Sequence, residues 1–197
     1  MKRLIGLALA ATLALSLSGC GANDPLANQF KAGDNKNYIA GDGTVSEFRD
    51  LASRKTGAAW VSKTADGATM RSSDLLGKIA VLNFWYAGCA PCRAETPDLD
   101  KLANKYASKG LVVLGVDVRD SADTALAFDR THKIGYPTVM DADSGSVVFA
   151  YTGIVTPDAV PTTIVLDRQG RVAARIIGRV VPDILEAIIK TEIARKS

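Results

Sequence analysis

Apolar residues form two short, nearly unbroken runs in the middle of the chain. Residues 79–86 and 111–116 are apolar at almost every position, a pattern typical of strands that are buried on both faces of a sheet. Between these runs, Leu99, Leu102 and Tyr106 are spaced three and four residues apart, which predicts a helix with one buried face. The order of strand, helix and strand predicts an α/β fold.

The alternation of strands and helices continues after residue 116. Ser121 or Asp123 is placed to cap a helix that runs to about Lys133. Residues 136–141 predict a short strand. Residues 147–151 fit either a strand or a buried helical turn, because so few positions do not define a period.

Two hairpins complete the predicted sheet. Residues 162–166 and 172–177 are β-branched runs separated by Asp-Arg-Gln-Gly, which favours a turn between antiparallel strands. Residues 58–70 contain a similar pair around Ala-Asp-Gly and predict an N-terminal hairpin extension. Pro182 is favoured in a first helical turn and begins an amphipathic C-terminal helix. We therefore expect a central mixed sheet with helices on both faces.

The N-terminal residues have the layout of an export signal. Lys2 and Arg3 precede an uncharged apolar run over residues 4–17 that is short for a membrane span. The run ends in Leu-Ser-Gly-Cys20, which resembles the lipobox of bacterial lipoproteins, where the Cys is diacylated and becomes the new N-terminus. Two or more acyl chains give stable anchoring. We expect a lipoprotein signal peptide over residues 1–19 and lipid attachment at Cys20.

The residues after this signal predict a tether followed by one folded domain. Residues 21–43 are rich in Asn, Asp, Gly and Lys without a period, so the lipidated Cys and a flexible tether are assigned to residues 20–56 and the domain to residues 57–197.

Removing residues 1–19 takes away two positive charges, and the net charge of +3 falls to +1. Such a weak basic field excludes a nucleic-acid partner. We expect a monomer.

Cys89 and Cys92 stand where the pattern changes from strand to helix. Residues three apart on a helix share a face, so the two sulfurs can approach closely enough for a reversible disulfide. Cys89 faces the unpaired N–H groups and the positive dipole end of the helix, which favour the thiolate. We expect Cys89 to be the nucleophile and Cys92 to resolve mixed disulfides. A static disulfide and half of a zinc site, which needs about four ligands, are the alternatives.

Several motifs around these cysteines match one family in order and spacing over roughly residues 57–195. The matching segments are residues 83–85, residues 89–95, Pro97, residues 136–141 and residues 160–170. Together they resemble the thioredoxin-like, TlpA-type family of exported thiol-disulfide oxidoreductases. The resemblance implies a thioredoxin-like fold for the domain.

The same resemblance implies an enzyme outside the cytoplasm whose cysteine pair is a redox-active disulfide and which needs no other cofactor. It implies that Pro161 is a cis-proline beside the Cys89 sulfur and that Val160 offers backbone hydrogen bonds to a substrate peptide. Ala90 and Pro91 would tune the reduction potential. The implied partners are exported clients with disulfides or thiols, those of cytochrome c maturation among them, and a membrane thiol-disulfide electron donor or acceptor.

Two positions depart from the pattern of the family or of its cytosolic relatives. Most relatives have Trp directly before the first Cys, where this chain has Gly88, so an apolar docking surface is missing or is supplied by Tyr86. Asn83 replaces the buried acid of cytosolic thioredoxins, although TlpA-type proteins share this Asn, and an amide cannot take a proton. Glu95 is a candidate acid–base partner for Cys92, but its position favours an exposed helix residue.

Two other functions fit parts of the pattern. A Cu(I)-binding metallochaperone would use the soft thiolates with His132 as a further ligand, although we expect His132 at the exposed end of its helix. A thiol peroxidase would share the fold, but the nucleophile of such relatives follows a Thr three residues earlier, and this chain has Tyr86 there.

Overall fold

A nine-stranded mixed sheet runs through the part of the chain that the computed structural model describes, which is residues 38–39, 44–154 and 159–195. Four α-helices and three short 3-10 turns accompany it. The strands are β1 (Tyr38–Ile39), β2 (Val45–Glu47), β3 (Val61–Thr64), β4 (Thr69–Arg71), β5 (Ile79–Trp85), β6 (Leu111–Asp117), β7 (Thr138–Met140), β8 (Thr162–Leu166) and β9 (Val172–Ile177), the helices are α1 (Ala90–Tyr106), α2 (Ala122–His132), α3 (Ser146–Ala150) and α4 (Pro182–Ala194), and the turns are Leu51–Ser53, Ser72–Leu75 and Ala107–Lys109.

Strand β5 lies in the middle of the sheet. The strand order is β1-β2-β9-β8-β5-β6-β7-β3-β4, and β5 pairs in parallel with β6 and antiparallel with β8. Every residue of β5 is buried, as the unbroken apolar run predicts. Because β5 is central, the residues that follow its last position, Trp85, lie beside the ends of two neighbouring strands.

The two faces of the sheet are covered by different helices. On one face, Val81 packs with Leu99 of α1 and Leu185 of α4. On the other face, Phe84 packs with Val147 of α3. Since successive residues of a strand point to opposite faces, β5 contributes to both hydrophobic clusters. The predicted mixed sheet with helices on both faces is confirmed. No helix in the described ranges is both long and apolar enough to cross a membrane.

Both predicted hairpins are present. Strands β8 and β9 pair antiparallel around Gly170, and β3 and β4 pair around Gly67. The φ angles of these glycines are 74° and 88°, a conformation that side chains with a Cβ rarely adopt. The β3–β4 hairpin joins the sheet at the outer edge of β7, where it forms the predicted N-terminal extension.

The ambiguous segment at residues 147–151 is helical at most of its positions. Helix α3 begins after Gly145, and the carboxylate of Asp141 accepts the N–H groups of Val147 and Val148, each at 2.9 Å. A carboxylate at a helix start satisfies donors that have no partner within the helix. This capping group lies at the end of the preceding strand, so the periodicity of the segment itself does not reveal it.

The folded domain begins before residue 57. Strand β2 pairs with β9 through Val45 and Ile176, and Arg54 is buried. The tether assigned to residues 20–56 therefore extends too far toward the C-terminus. The sequence did not reveal this, because a strand of three residues shows no period. Residues 1–37 and 40–43, with the predicted signal peptide and Cys20, lie outside the described residues.

Arg54 joins three distant parts of the chain. Its side chain is 1% exposed and its guanidinium makes a bidentate contact with Glu192 of α4 at 2.8 and 2.7 Å. It also donates to Asp167 in the β8–β9 turn at 2.9 Å and to the carbonyl of Phe48 at 2.7 Å. Such contacts hold the N-terminal segment against the domain.

Arg54→Ala should lower the free energy of unfolding by about 3 kcal/mol, because it leaves two buried carboxylates without their main partner. The value lies at the lower end for such losses since Arg171 and Arg195 contact the same carboxylates at 2.9 and 3.0 Å. Urea unfolding measures the change. Lys101→Ala, which removes an exposed ion pair with Asp98, is the control and should cost less than about 1 kcal/mol. Equal losses in the two variants would contradict a stabilising role for the buried cluster.

Candidate active site

Cys89 and Cys92 form a disulfide at the start of α1. The S–S distance is 2.04 Å and the Cα atoms are 5.3 Å apart. Cys89 is the residue that caps the helix, and its sulfur accepts the N–H of Cys92 at 3.2 Å. Pro91 lies in the first turn, where its missing N–H costs no helical hydrogen bond. The predicted pairing is confirmed.

The two cysteines differ in access and in electrostatic surroundings. Cys89 is 4% exposed and Cys92 is 1% exposed, while Gly88, Ala90 and Pro91 around them are exposed. No acidic residue occupies the first turn of α1, so the positive end of the helix dipole is not neutralised there. This is the field on which the expectation of Cys89 as the nucleophile rests.

The segment before β8 meets the disulfide. The Val160–Pro161 peptide bond is cis, as the family resemblance predicts. Val160 packs against the cluster that Trp85, Cys89, Cys92 and Phe128 form. The structure thus brings the second predicted segment, about 70 residues later in the chain, to the cysteines.

An aromatic row leads from the disulfide to the surface. Trp85 and Phe128 are 4.6 Å apart between ring centroids, and Phe128 and His132 are 4.2 Å apart. His132 is the exposed last residue of α2, as expected. Within residues 44–154 and 159–195, no group of three or more His, Cys, Asp or Glu side chains is arranged to hold a metal ion.

Glu95 is buried, so the expectation of an exposed helix residue is wrong. Its side chain is 1% exposed, and its two carboxylate oxygens accept the Asn83 amide and the N–H of Val180, each at 2.7 Å. Burial raises the pKa of Glu95 above its ordinary value of 4.5, although these hydrogen bonds oppose the change. Glu95 lies one helical turn beyond Cys92 on the same face of α1.

Asn83 holds this carboxylate in place. Its amide donates both to Glu95 and to Thr163 Oγ1, the latter at 3.1 Å. An amide at position 83 cannot exchange a proton at neutral pH, but it fixes a group that can. Cytosolic thioredoxins have a buried acid at the position of Asn83. In this chain the buried acid is Glu95, which lies on the neighbouring helix α1.

Residues 55–175, more than half of the chain, match the AhpC/TSA family. The chain belongs to this family. It is 30% identical over 140 residues to the thiol-disulfide oxidoreductase ResA of Bacillus subtilis, covering 71% of this chain and 72% of ResA. It is 34% identical over 137 residues to the thiol:disulfide interchange protein HelX of Rhodobacter capsulatus, covering 68% and 73%.

Solved structures support the same assignment. A DsbF homologue from Corynebacterium diphtheriae superposes with a TM-score of 0.68 at 30% identity, covering 78% of this chain and 96% of the homologue. A secreted thiol-disulfide isomerase from Corynebacterium glutamicum superposes with a TM-score of 0.69 at 28% identity, covering 81% and 98%. The chain is therefore a thiol-disulfide oxidoreductase of the TlpA-type, thioredoxin-like group within the AhpC/TSA family, and its predicted thioredoxin-like fold is confirmed.

Gly88, where most TlpA-type relatives carry Trp, lies next to the ring of Tyr86. A Cβ atom added to Gly88 would lie 3.3 Å from the ring of Tyr86, so Tyr86 already occupies part of the space that a larger residue would need. Tyr86 also packs against the cluster around the disulfide. This arrangement favours the second of the two expectations, in which Tyr86 supplies the aromatic surface.

The loop after β6, which the sequence pattern did not single out, holds the loop before Cys89. Asp120 accepts the N–H of Ala87 at 2.5 Å. Asp117 in turn accepts the N–H groups of Arg119 and Asp120 at 3.0 and 2.8 Å, and burial raises its pKa to about 6. An acidic residue at the end of a buried strand parallel to β5 was the available signal, because the ends of neighbouring parallel strands meet at one edge of the sheet.

Proposed function

We propose that the protein is a membrane-anchored, extracytoplasmic oxidoreductase that reduces or exchanges disulfides in exported client proteins through Cys89 and Cys92. The observation that supports it best is a disulfide at the start of α1, packed against the Val160–Pro161 segment. Thiolate stabilisation at a helix start is what such exchange requires, because the thiolate and not the thiol attacks a disulfide.

In the reducing direction the reaction has two steps. The Cys89 thiolate attacks one sulfur of the client disulfide, which forms a Cys89–client disulfide and releases the other client sulfur as a thiolate that takes a proton. Cys92 then loses its proton and attacks Cys89, which forms the Cys89–Cys92 disulfide and releases the second client thiol. Two electrons have passed from the protein to the client, and a membrane thiol-disulfide donor restores the dithiol.

The second step needs a proton acceptor near Cys92, and we assign this role to Glu95. The carboxylate is held by Asn83 and Val180 on the face of α1 that carries Cys92. Its raised pKa brings it closer to neutral pH, where a group that both takes and returns a proton is most effective.

Client docking would use the residues that border the disulfide. An extended client segment would accept and donate hydrogen bonds at the backbone of Val160, next to Pro161. Ala90 and Pro91 are exposed between the cysteines and would set the reduction potential. Apocytochromes with Cys-x-x-Cys-His haem sites are the first clients to test, because cytochrome c maturation requires such cysteines in the reduced state.

The reduction potential of the disulfide tests the proposal. The protein is equilibrated in thiol-disulfide buffers, and the fluorescence of Trp85, which packs against the disulfide, reports the redox state. We expect a potential between about −270 and −120 mV, the span of thioredoxin-like enzymes, together with reduction of insulin by the dithiol form. A potential below about −300 mV would identify a static structural disulfide instead.

Anaerobic Cu(I) titration addresses the metallochaperone alternative. Binding of one equivalent that weakens in His132→Ala would favour a copper carrier, whereas an oxidoreductase needs no stoichiometric metal. Consumption of hydrogen peroxide at the rate of insulin reduction would favour the peroxidase alternative.

Cys20→Ser should move the protein from the membrane fraction to the soluble fraction. The isolated domain, which lacks Cys20, should keep its activity. The reason is the export signal that ends at Cys20 and the need for attached acyl chains for stable anchoring. Fractionation and metabolic palmitate labelling measure the change. Palmitate that still labels Cys20→Ser would contradict lipid attachment at this residue.

A further inference from the structure

Three exposed arginines lie on elements near the disulfide. Arg93 is exposed in the first turn of α1, four residues after Cys89 and on the same face. Arg179 is exposed directly before Val180, which contacts Glu95 of α1. Arg119 is exposed on the loop between β6 and α2, next to Asp120, which contacts the loop before Cys89.

Arg119 is the best positioned of the three. Its guanidinium carbon lies 4.4 Å from the centroid of the Tyr86 ring, and that ring lies next to Gly88, the residue directly before Cys89. Its backbone N–H is held by Asp117, and the adjacent Asp120 binds Ala87 in the loop before Cys89. The guanidinium therefore lies over a ring that packs against the cluster of Cys89.

The donors of this guanidinium are available to a ligand. Within residues 44–154 and 159–195, neither Arg119 nor Arg93 takes part in an ion pair. An arginine stacked on an aromatic ring keeps the N–H groups at its edge free, and their planar fork matches a carboxylate.

Acids lie on the same elements as these arginines. Asp120 accepts the N–H of Ala87 and keeps its negative charge, and Glu95 is buried. Asp123 is exposed in the first turn of α2, and Asp183 is exposed in the first turn of α4. Among the described residues, neither Asp123 nor Asp183 forms an ion pair with Arg119, so the proposal depends on the N–H donors of Arg119 and not on a net charge around the sulfurs.

We propose that Arg119 binds a client carboxylate next to the client disulfide, so that the protein prefers disulfides flanked by Asp or Glu. The preference rests on the proposed function, because it concerns the client of the same reaction. Tyr86 provides the apolar platform, and Arg119 on that platform provides the charge selectivity. A carboxylate beside the client cystine meets the fork of Arg119 while the cystine sulfur meets Cys89.

The test uses three synthetic peptide disulfides that differ at one flanking position, which is Asp, Asn or Lys. The pre-reduced dithiol form of the protein reduces each peptide in a single turnover, and the second-order rate constant is compared among the wild type, Arg119→Gln and Lys55→Gln. Lys55 is exposed and lies beside Val172, at the end of β9 away from the disulfide, so Lys55→Gln removes the same charge outside the site.

The wild type and Lys55→Gln should reduce the Asp peptide about threefold to fivefold faster than the Asn peptide, the range that an exposed ion pair supports. The Lys peptide should be slower still. Arg119→Gln should treat all three peptides alike, and raising the salt concentration should remove the preference of the wild type because screening weakens exposed charges.

Three results would overturn the proposal. A preference for the Asp peptide that persists in Arg119→Gln, or turnover by the wild type without any preference, would exclude this role of Arg119 while leaving the oxidoreductase intact. A wild type that reduces none of the peptides would contradict the proposed function itself, and the client preference with it.

Discussion

Cys89→Ser is expected to abolish the reduction of insulin disulfides, and Cys92→Ser is expected to accumulate mixed disulfides with clients. Cys89 caps α1 and is the less deeply buried of the two residues, so we expect its thiolate to make the first attack. Without Cys92 the Cys89–client bond has no internal thiol to break it. Non-reducing electrophoresis and mass spectrometry of trapped complexes measure both outcomes.

The double variant Cys89→Ser/Cys92→Ser controls for contaminating reductants and should neither turn over insulin nor trap clients. Mixed disulfides that form with Cys89→Ser rather than Cys92→Ser would reverse the assigned roles.

Glu95→Gln should slow the resolution of the mixed disulfide by about 10²-fold or more, within the range of general acid–base catalysis. The variant keeps the shape of the side chain but loses the proton acceptor near Cys92. Stopped-flow measurement of single turnover, with the mixed-disulfide step resolved by quenching, separates resolution from the first attack, which should change little.

The pH dependence distinguishes this role from a purely structural one. In the wild type the rate of resolution should rise as Glu95 ionises through its raised pKa, above the ordinary value of 4.5. In Glu95→Gln this rise in rate should disappear, and the rate should depend only on the ionisation of the Cys92 thiol. An unchanged pH profile in Glu95→Gln would remove Glu95 from the proton transfer.

The same carboxyl should also affect stability. Because its pKa is higher in the folded state than in the unfolded state, the folded protein binds the proton more tightly, and its contribution to stability is present below pH 4.5 and is lost as pH rises through the folded pKa. In Glu95→Gln the free energy of unfolding should no longer fall over this pH range. Glu186→Gln is the matched control, because its interactions with Lys190, Tyr106 and Lys105 lower the pKa of Glu186 to about 2 and predict the opposite pH dependence.

The central strand, the helix after it and the cysteine pair were predictable from the sequence, because their signals lie in adjacent residues. An unbroken apolar run indicates a strand buried on both faces. The next residues in the chain have helical spacing, and the two cysteines lie three residues apart at the junction. The family resemblance added the cis Val160–Pro161 bond, for which the residues alone favour trans.

Other features depend on residues that are far apart in the chain, and only the tertiary structure decided them. Glu95 is buried because Asn83 and Val180, the latter 85 residues away, supply its hydrogen bonds. Arg54 belongs to the domain because its partners are 113 and 138 residues away. A polar side chain can be buried only where partners replace its water, and such partners are brought together by the fold and not by the local sequence.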